Sequence, residues 1–193
     1  MSDFSKCVVY TLQYEGIDTS KGGAYVDHPL DKGGATKYGI SLNFAKNVKD
    51  LNLMDKDGNS IISKEDIKKL TFDDAVNIYK KYFWDRFGLD EVENNQKAFL
   101  VFDASVNHGY KGAAKIVQKS LNKIGFNLLV DGVYGPKTKA ALIEADSQKF
   151  IQAFQETRTQ YYEAIVRANP SQKVFLKGWL NRIKCTTRDL NYV

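Results

Sequence analysis

Near the start of the chain an apolar helical pattern ends on an acidic residue, and few folds accommodate that arrangement. Phe4, Val8 and Leu12 recur every four residues, which predicts an amphipathic helix that Gly16 ends. In helical projection Glu15 falls on the same apolar stripe, where a carboxyl is rarely found without a partner. Apolar neighbours and the negative end of the helix dipole both favour the protonated form of this carboxyl. A carboxyl that stays protonated near neutral pH is what a general acid requires.

A glycine-rich segment follows this helix and carries a second carboxylate and a hydroxyl. Residues 32–34 read Lys-Gly-Gly and predict a tight turn, with short strands at residues 25–26 and 35–40. The predicted hairpin carries Asp31 and Thr36. Glycoside hydrolysis uses one carboxylic acid to protonate the leaving oxygen and a second carboxylate to activate water or stabilise the sugar cation. The helix end and the hairpin therefore predict a glycosidase site.

The second carboxylate has two candidates in this segment. Asp27 is the alternative to Asp31, but it is also explained as a turn-stabilising aspartate before Pro29. Asp31 is preferred because the glycine turn follows it directly. Tyr25 and Tyr38 are candidates for contact with the substrate.

The segment that contains these residues resembles a known family. Glu15 with the glycine after it, and residues 23–41 with the sequence GAYVDHPLDKGGATKYGIS, are similar to the signature of glycoside hydrolase family 108. That signature runs E-G-G-Y, a spacer, then D-P-x-D-x-G-G-x-T-x-x-G-I, and its bearers are N-acetylmuramidases of phage endolysins and bacterial secretion activator proteins. The resemblance implies that Glu15 is the catalytic acid and that Asp31 and Thr36 position the water. This chain departs from the family in that residues 17–21 separate the glutamate from the rest of the motif.

The order Glu, Asp, Thr is also similar to the catalytic triad of small phage lysozymes. We therefore expect a mainly α (α+β) fold, with a lysozyme-like helical body and a small β-hairpin near the N-terminus that carries part of the active site. Helical patterns at residues 42–49 and 72–87, with Ser41 and Thr71 as N-caps, agree with this expectation.

Residues 55–66 partly match the calcium-binding loop of an EF-hand. Loop positions 1, 3, 5 and 12 are held by Asp55, Asp57, Asn59 and Asp66. Ser60 stands where the loop has glycine, and Asp66 stands where it has glutamate. The alternative is a polar turn before a helix that Ser63 caps. The family resemblance adds weight to calcium, because relatives often carry a similar Asp- and Gly-rich insert. The reaction requires no cofactor, and calcium is an optional ligand.

Two further helical stretches carry residues suited to contact with a sugar. Trp84, which ends a Tyr-Phe-Trp run, offers a stacking platform, although core packing explains it as well. Residues 95–108 are apolar on nearly all faces, which predicts a central helix. The end of this helix resembles the family's V-N-x-G segment, which implies that Asn107 or Asp103 faces the substrate cleft. His108 is equally explained as a helix-end cation.

The C-terminal part of the chain resembles peptidoglycan-binding sequences. Residues 117–142 are similar to repeats of the L-Q-x-x-L…G…D-G-x-x-G-x-x-T-x-x-A type, and residues 158–182 are similar to the family's closing R…Y…F-x-x-G-W-x-x-R pattern. We interpret Arg182 in that pattern as a structural clamp. We expect a catalytic lobe at residues 1–109 and a helical peptidoglycan-binding region at residues 110–193, packed together as one globule.

Composition limits the partners and the compartment. The 28 basic and 23 acidic residues give a net charge of +5, which suits an anionic partner such as the cell wall, although an ordinary soluble surface explains it equally well. The basic residues are dispersed, which argues against nucleic acid, and no apolar run reaches membrane-spanning length. Cys7 and Cys185 fall on apolar helix faces and predict free thiols. Without a visible secretory signal, we expect a monomer made in the cytoplasm that reaches the wall by another route.

The leading hypothesis is a muramidase that cleaves the β-1,4 glycan bond of peptidoglycan. The main alternative is a non-catalytic wall-binding or secretion-associated protein on the same scaffold, against which the set of Glu15, Asp31 and Thr36 argues. A calcium-responsive interaction protein is a third hypothesis, and it rests on residues 55–66 alone.

Overall fold

Helices make up most of the chain in the computed structural model, which describes residues 2–17, 23–27 and 34–193. A small two-stranded antiparallel sheet lies near the N-terminus, so the predicted mainly α fold is confirmed. None of the helices in the described part of the chain combines the length and the apolarity that crossing a bilayer would need.

The chain falls into two compact units, one of residues Val8–Tyr82 and one of residues Met1–Cys7 with Phe83–Val193. This division differs from the boundary that we expect between residues 109 and 110. Helix α6 (Asn95–Lys123) runs through that point, and only Gly109 departs from helical geometry, with φ 67° and ψ 170°.

The unit Val8–Tyr82 holds the sheet and four short helices in addition to most of α1. These elements are α1 (Phe4–Tyr14), β1 (Thr36–Lys37), β2 (Ile40–Ser41), α2 (Leu42–Val48), α3 (Leu51–Met54), α4 (Lys64–Lys69) and α5 (Phe72–Tyr79). The predicted N-caps are confirmed: Ser41 Oγ accepts from the N–H of Phe44, and Thr71 forms a capping box with Asp74.

The hairpin turn is not where the sequence predicts it. Residues Tyr38 and Gly39 connect β1 to β2, with φ of 50° and 73°, so the predicted strand at residues 35–40 is wrong because it contains this turn. Two-residue hairpins of the type I′ class need positive φ at both central positions, which glycine adopts freely and tyrosine rarely does. Val26 pairs with Thr36 in a single antiparallel bridge, and the predicted turn at residues 32–34 lies mostly outside the described residues.

The other unit is built on α6. Its remaining helices are α7 (Pro136–Glu144), α8 (Ser147–Ala168) and α9 (Lys173–Asp189), with 3-10 turns at Asp85–Phe87, Leu89–Glu91 and Pro170–Gln172. A π-helical stretch at Lys80–Trp84 crosses the division between the units. The first half of α6 is buried on nearly every face, with side chains from Ala98 to Phe102 fully inaccessible. The predicted central helix is therefore confirmed.

A buried lysine joins α6 to α7. The Nζ of Lys97 donates to the carbonyls of Leu142 and Ala145, each at 2.8 Å, and to the carbonyl of Ile143 at 3.2 Å. These carbonyls lie at the C-terminal end of α7, where backbone acceptors lack helical partners and the helix dipole attracts a cation. Lys97 thus caps α7 from another helix.

Both cysteines are free thiols, as predicted. Burial raises the pKa of the Cys7 thiol to about 12. Cys7 therefore stays protonated at neutral pH and is a packing residue.

Candidate active site

Main-chain hydrogen bonds at the C-terminus of α1 fix the backbone around Glu15. The N–H of Gly16 donates to the carbonyl of Gln13, and the N–H of Ile17 donates to the carbonyl of Leu12, both at 3.0 Å. This pair of bonds defines the Schellman motif, in which the residue after the cap is left-handed. Gly16 has φ 74°, and both Leu12 and Ile17 are buried. Glu15 is therefore the cap residue of a rigid helix end.

The side chain of Glu15 is exposed, whereas the helical projection predicts that it lies on the apolar stripe. The N–H of Glu15 still donates to the carbonyl of Thr11 at 3.2 Å, but α1 ends at Tyr14 and the chain leaves the helix at Gly16, so no further turn of α1 covers the side chain. The carboxyl group is accessible to a substrate.

Thr36 lies at the start of β1, beside the chain segment that carries Tyr25. Its backbone N–H donates to the carbonyl of Val26 at 2.8 Å and its carbonyl accepts from the N–H of Val26 at 2.9 Å. The hydroxyl of Thr36 donates to the carbonyl of Gly34 at 3.3 Å, so the lone pairs of its oxygen can accept a hydrogen bond from water. Tyr25 precedes this bridge and is half-buried.

The two candidates for the second carboxylate differ in what the structure shows of them. Asp31 lies outside the described residues. Asp27 accepts a hydrogen bond from Lys64 Nζ at 2.8 Å, a contact between residues 37 positions apart that the sequence did not indicate. The carboxylate of Asp27 is thus engaged in an ion pair within its own unit.

Tyr38 is mostly enclosed by its own unit. Its side chain is 6% exposed, its ring meets Phe72 edge-on with centroids 6.0 Å apart, and its carbonyl accepts from the Tyr79 hydroxyl at 3.2 Å. A side chain at Gly23 would collide with the Tyr38 ring. These contacts hold the ring in the core, where it supports the hairpin.

Trp84 is fully buried. Of the two roles considered for it, sugar stacking and core packing, the structure shows core packing. Its indole Nε1 donates to Asp90 Oδ1 at 2.7 Å, which satisfies the polar end of the ring. Phe4 and Phe102 meet it edge-on, with centroids 5.3 Å and 5.6 Å away. The prediction that Trp84 is a stacking platform for a sugar is therefore wrong, because the buried ring presents no face to a ligand.

A buried ionic cluster occupies the middle of α6. Asp103 is inaccessible to solvent, and Arg158 and Arg182 reach its two oxygens at 2.6 Å and 2.7 Å. Burial alone would raise the pKa of Asp103, but the two guanidinium groups hold it below its usual range. Arg182 is thus a structural clamp, as predicted. The ion pair between Arg158 and Asp103 was not predicted, because the two residues lie 55 positions apart in the sequence. Asp103 faces this cluster and is closed to a substrate.

The residues after Asp103 extend the cluster. Arg158 Nε donates to His108 Nε2 at 3.0 Å, and burial together with the Arg158 charge lowers the pKa of His108 to about 3. His108 is therefore neutral, which corrects its interpretation as a helix-end cation. Asn107 is half-buried, and its side-chain oxygen accepts from the Tyr162 hydroxyl.

The calcium candidates do converge in space. Oxygens of Asp55, Asp57 and Asp66 lie within 4.8 Å of one another, and Ser60 adopts φ 65° at the position where an EF-hand has glycine. Three aspartate oxygens are the donors that a hard divalent cation prefers. The candidate Asn59 takes part in the loop differently, since its side-chain oxygen accepts from the N–H of Ile61.

The loop also shows the alternative structure that we considered, a polar turn before a helix that Ser63 caps. Ser63 and Asp66 form a capping box at the start of α4. Burial would raise the pKa of Asp66, but hydrogen bonds from Lys56 N–H and from Ser63 hold it below the usual range. The carboxylate is thus ionised and already accepts three hydrogen bonds.

Comparisons with known proteins place the chain in a family. Residues 112–184 match the model of a predicted peptidoglycan domain, and no curated protein matches the chain. The structure of SagA from Brucella abortus is similar, with 28% sequence identity, a TM-score of 0.67, and coverage of 98% of this chain and 94% of that chain. Residues 10–109 match the model of glycosyl hydrolase 108. Because that match spans more than half of the sequence, the chain belongs to the glycosyl hydrolase 108 family.

Proposed function

We propose that this protein is an N-acetylmuramidase of the lysozyme type, which cleaves the β-1,4 glycan bond of peptidoglycan with Glu15 as general acid. The observation that carries the proposal is the exposed Glu15 carboxyl, held at the rigid end of α1 inside the segment that matches the family. Residues 1–109 would contain the catalytic site, and residues 110–193 would hold the wall.

In this mechanism Glu15 protonates the departing glycosidic oxygen. Asp31, with Thr36, orients the attacking water on the opposite face of the sugar. The ion pair between Asp27 and Lys64 favours Asp31 for this role, because it already engages the Asp27 carboxylate in another contact.

The exposure of Glu15 adds a condition to the mechanism. A general acid is most effective when water is kept from it, since a low dielectric favours the protonated carboxyl. In the proposed reaction the bound glycan supplies that exclusion.

The alternative is a wall-binding or secretion-associated protein without catalysis. The match of residues 112–184 to a predicted peptidoglycan domain favours binding in either case. Release of new reducing ends separates the two functions, because a binding protein would pellet with walls and leave them intact.

The decisive experiment measures reducing ends released from purified peptidoglycan by the wild type and by Glu15→Gln. We expect release by the wild type and a loss of about 10²-fold or more in the variant, the scale of general acid catalysis. Glu144→Gln is a matched control, because Glu144 is also exposed and also lies at a helix C-terminus. Full activity of Glu15→Gln would remove Glu15 from the mechanism, and the variant should melt at the wild-type temperature.

We further propose that the protein acts as a monomer on the cell wall and that calcium, bound by Asp55, Asp57, Asn59 and Asp66, supports the fold rather than the reaction. The convergence of the carboxylates of Asp55, Asp57 and Asp66 favours a divalent cation.

A further inference from the structure

The positive charge of the chain is unevenly distributed. Residues 110–193 contain 14 Lys and Arg against six Asp and Glu, whereas residues 1–109 contain 14 against 17. The net charge of +5 therefore originates in the C-terminal part, because the basic residues are divided equally between the two parts whereas most acidic residues lie in residues 1–109. A localised excess of one sign points to a partner of the opposite sign.

A row of lysines explains part of this excess. After Gly109, lysines recur every four residues on one face of α6, at Lys111, Lys115, Lys119 and Lys123. Lys123 pairs with Glu156 at 3.5 Å. Within the described ranges, no carboxylate lies at ion-pair distance from the other three.

The loop after α6 fixes the stems of two of these lysines. A Cβ at Gly132 would lie 2.7 Å from Cγ of Lys111 and 3.2 Å from Cε of Lys115, so their methylenes cover the Gly132 turn. Lysine stems commonly pack on a surface while the ammonium group stays in water. The charges of this row are therefore presented by partly ordered side chains.

The row borders a groove of about 490 Å³ between α6 and α8. Its polar lining includes Lys115, Lys119, Gln160, Tyr161, Glu163 and Arg167. The buried Ile116 and the small Ala164 also line it, so the groove has an apolar base.

The buried ionic cluster supports one wall of this groove. The Tyr161 ring meets the ring of His108 edge-on, with centroids 4.9 Å apart, and Arg158 binds His108 from the protein interior. At Gly112 a Cβ would lie 2.9 Å from Cβ of His108 and 3.7 Å from the Tyr161 hydroxyl. Tyr161 is thus backed by a fixed support and faces the groove with a defined orientation.

We propose that this groove binds the carboxylates of the stem peptides of peptidoglycan, with Lys115, Lys119 and Arg167 as the charged contacts. The inference rests on the proposed wall substrate and adds the chemical group that is recognised. A glycan backbone offers mainly hydroxyls, whereas stem peptides carry free carboxylates that match three cations. Tyr161 offers a flat apolar surface for the peptide.

Glu163 distinguishes this ligand from a polyphosphate. It pairs with Arg167 at 3.8 Å, and both side chains are largely exposed, so the pair contributes little and exchanges partners readily. A stem peptide that is not cross-linked carries the amine of a diamino acid, which Glu163 would accept. A nucleic acid backbone has no group for a carboxylate and would be repelled by it.

The test measures pelleting of the full chain with insoluble peptidoglycan, in the Glu15→Gln background so that the wall is not consumed. Lys115→Gln with Lys119→Gln should weaken binding about tenfold, because each exposed lysine–carboxylate contact contributes up to about 1 kcal/mol. Arg167→Gln alone should weaken it about threefold, on the same basis. The control Lys149→Gln with Lys173→Gln removes the same charge from exposed positions outside the groove and should stay within about twofold of the reference.

Modified walls identify the group that is bound. Walls with amidated carboxyls, or stripped of their stem peptides by an amidase, should bind the reference protein as weakly as the double lysine variant binds intact walls. Walls freed of phosphate polymers by hydrofluoric acid should bind as intact walls do.

Three results would overturn the proposal. They are unchanged binding by a double variant with the wild-type melting temperature, equal binding of the reference to peptide-free glycan, and loss of the lysine-dependent binding when phosphate polymers are removed. A lack of reducing ends from the wild type would instead count against the muramidase proposal and leave the pelleting results unaffected.

Discussion

The helix end at Glu15 and the ionic cluster around Asp103 are built by opposite means. At the first, positive φ angles and main-chain hydrogen bonds fix the backbone, and the glutamate side chain is exposed. At the second, the buried Asp103 in the middle of α6 is held by Arg158 of α8 and Arg182 of α9. Strongly perturbed pKa values often mark active sites, but in this protein they occur at Asp103 and His108, which are enclosed by packed helices. Perturbed ionisation here identifies a structural support.

The largest effect should follow from breaking the ionic cluster. Asp103→Ala leaves two buried guanidinium groups without their counter-ion and should lower the free energy of unfolding by about 3–5 kcal/mol, measured by urea denaturation. As control, Glu156→Ala removes one partner of an exposed pair with Lys123 and should cost at most about 1 kcal/mol. If Asp103→Ala instead kept full stability and lost activity, the cluster would belong to the reaction.

The hairpin should respond to a change in its turn. Gly39→Ala should destabilise the protein by about 1–3 kcal/mol, because Gly39 has φ 73° and a Cβ there would lie 2.5 Å from the Tyr79 hydroxyl oxygen. Gly178→Ala is the matched control, since Gly178 is helical with open space around its Cα, and it should raise stability by about 0.5–1 kcal/mol. Thermal melts of both variants check the opposite signs, and a harmless Gly39→Ala would show that the turn is not constrained.

His108 should make stability depend on pH. Its pKa is about 6.5 when unfolded and about 3 when folded, so the unfolded chain binds the proton first and acid favours unfolding. Stability from this group is complete above pH 6.5 and is lost as the pH falls toward 3, by up to about 1.4 kcal/mol per unit. Between pH 6 and pH 4, unfolding curves of His108→Gln should be less pH-dependent than those of the wild type, and parallel curves would contradict the assignment.

Calcium should produce the smallest effect. If the Kd of the loop at residues 55–66 for calcium is about tenfold below the added calcium concentration, the free energy of unfolding rises by about 1.4 kcal/mol. Melting curves with calcium and with a chelator measure it, and Asp55→Asn should abolish the shift. Equal melting temperatures under both conditions would exclude a role for calcium in the fold.

The sequence predicted local structure well wherever side-chain chemistry acts over a few residues. The N-caps at Ser41, Ser63 and Thr71 and the helix end at Gly16 were correct because the partners lie within five positions. The Arg182 clamp was interpreted correctly, but its partners are distant and only the fold brings them together.

The errors share a physical cause. The turn at Tyr38 and Gly39 was missed because tyrosine rarely adopts positive φ, and only packing of its ring against Phe72 explains why it does so here. The sequence left Trp84 open between a sugar platform and core packing because burial depends on neighbours that no local pattern reveals, and the side chain is fully enclosed.

The Schellman motif at the C-terminus of α1 explains how the chain tolerates extra residues directly after Glu15, its proposed general acid. Ile17, the first residue of that stretch, donates its N–H to the carbonyl of Leu12, so the polypeptide is anchored at the point where the stretch begins. Lengthening or exchanging the residues that follow Ile17 should therefore leave the glutamate in place. Protein engineers gain from this an insertion point beside the proposed catalytic group, where substrate preference could be altered without redesigning the scaffold.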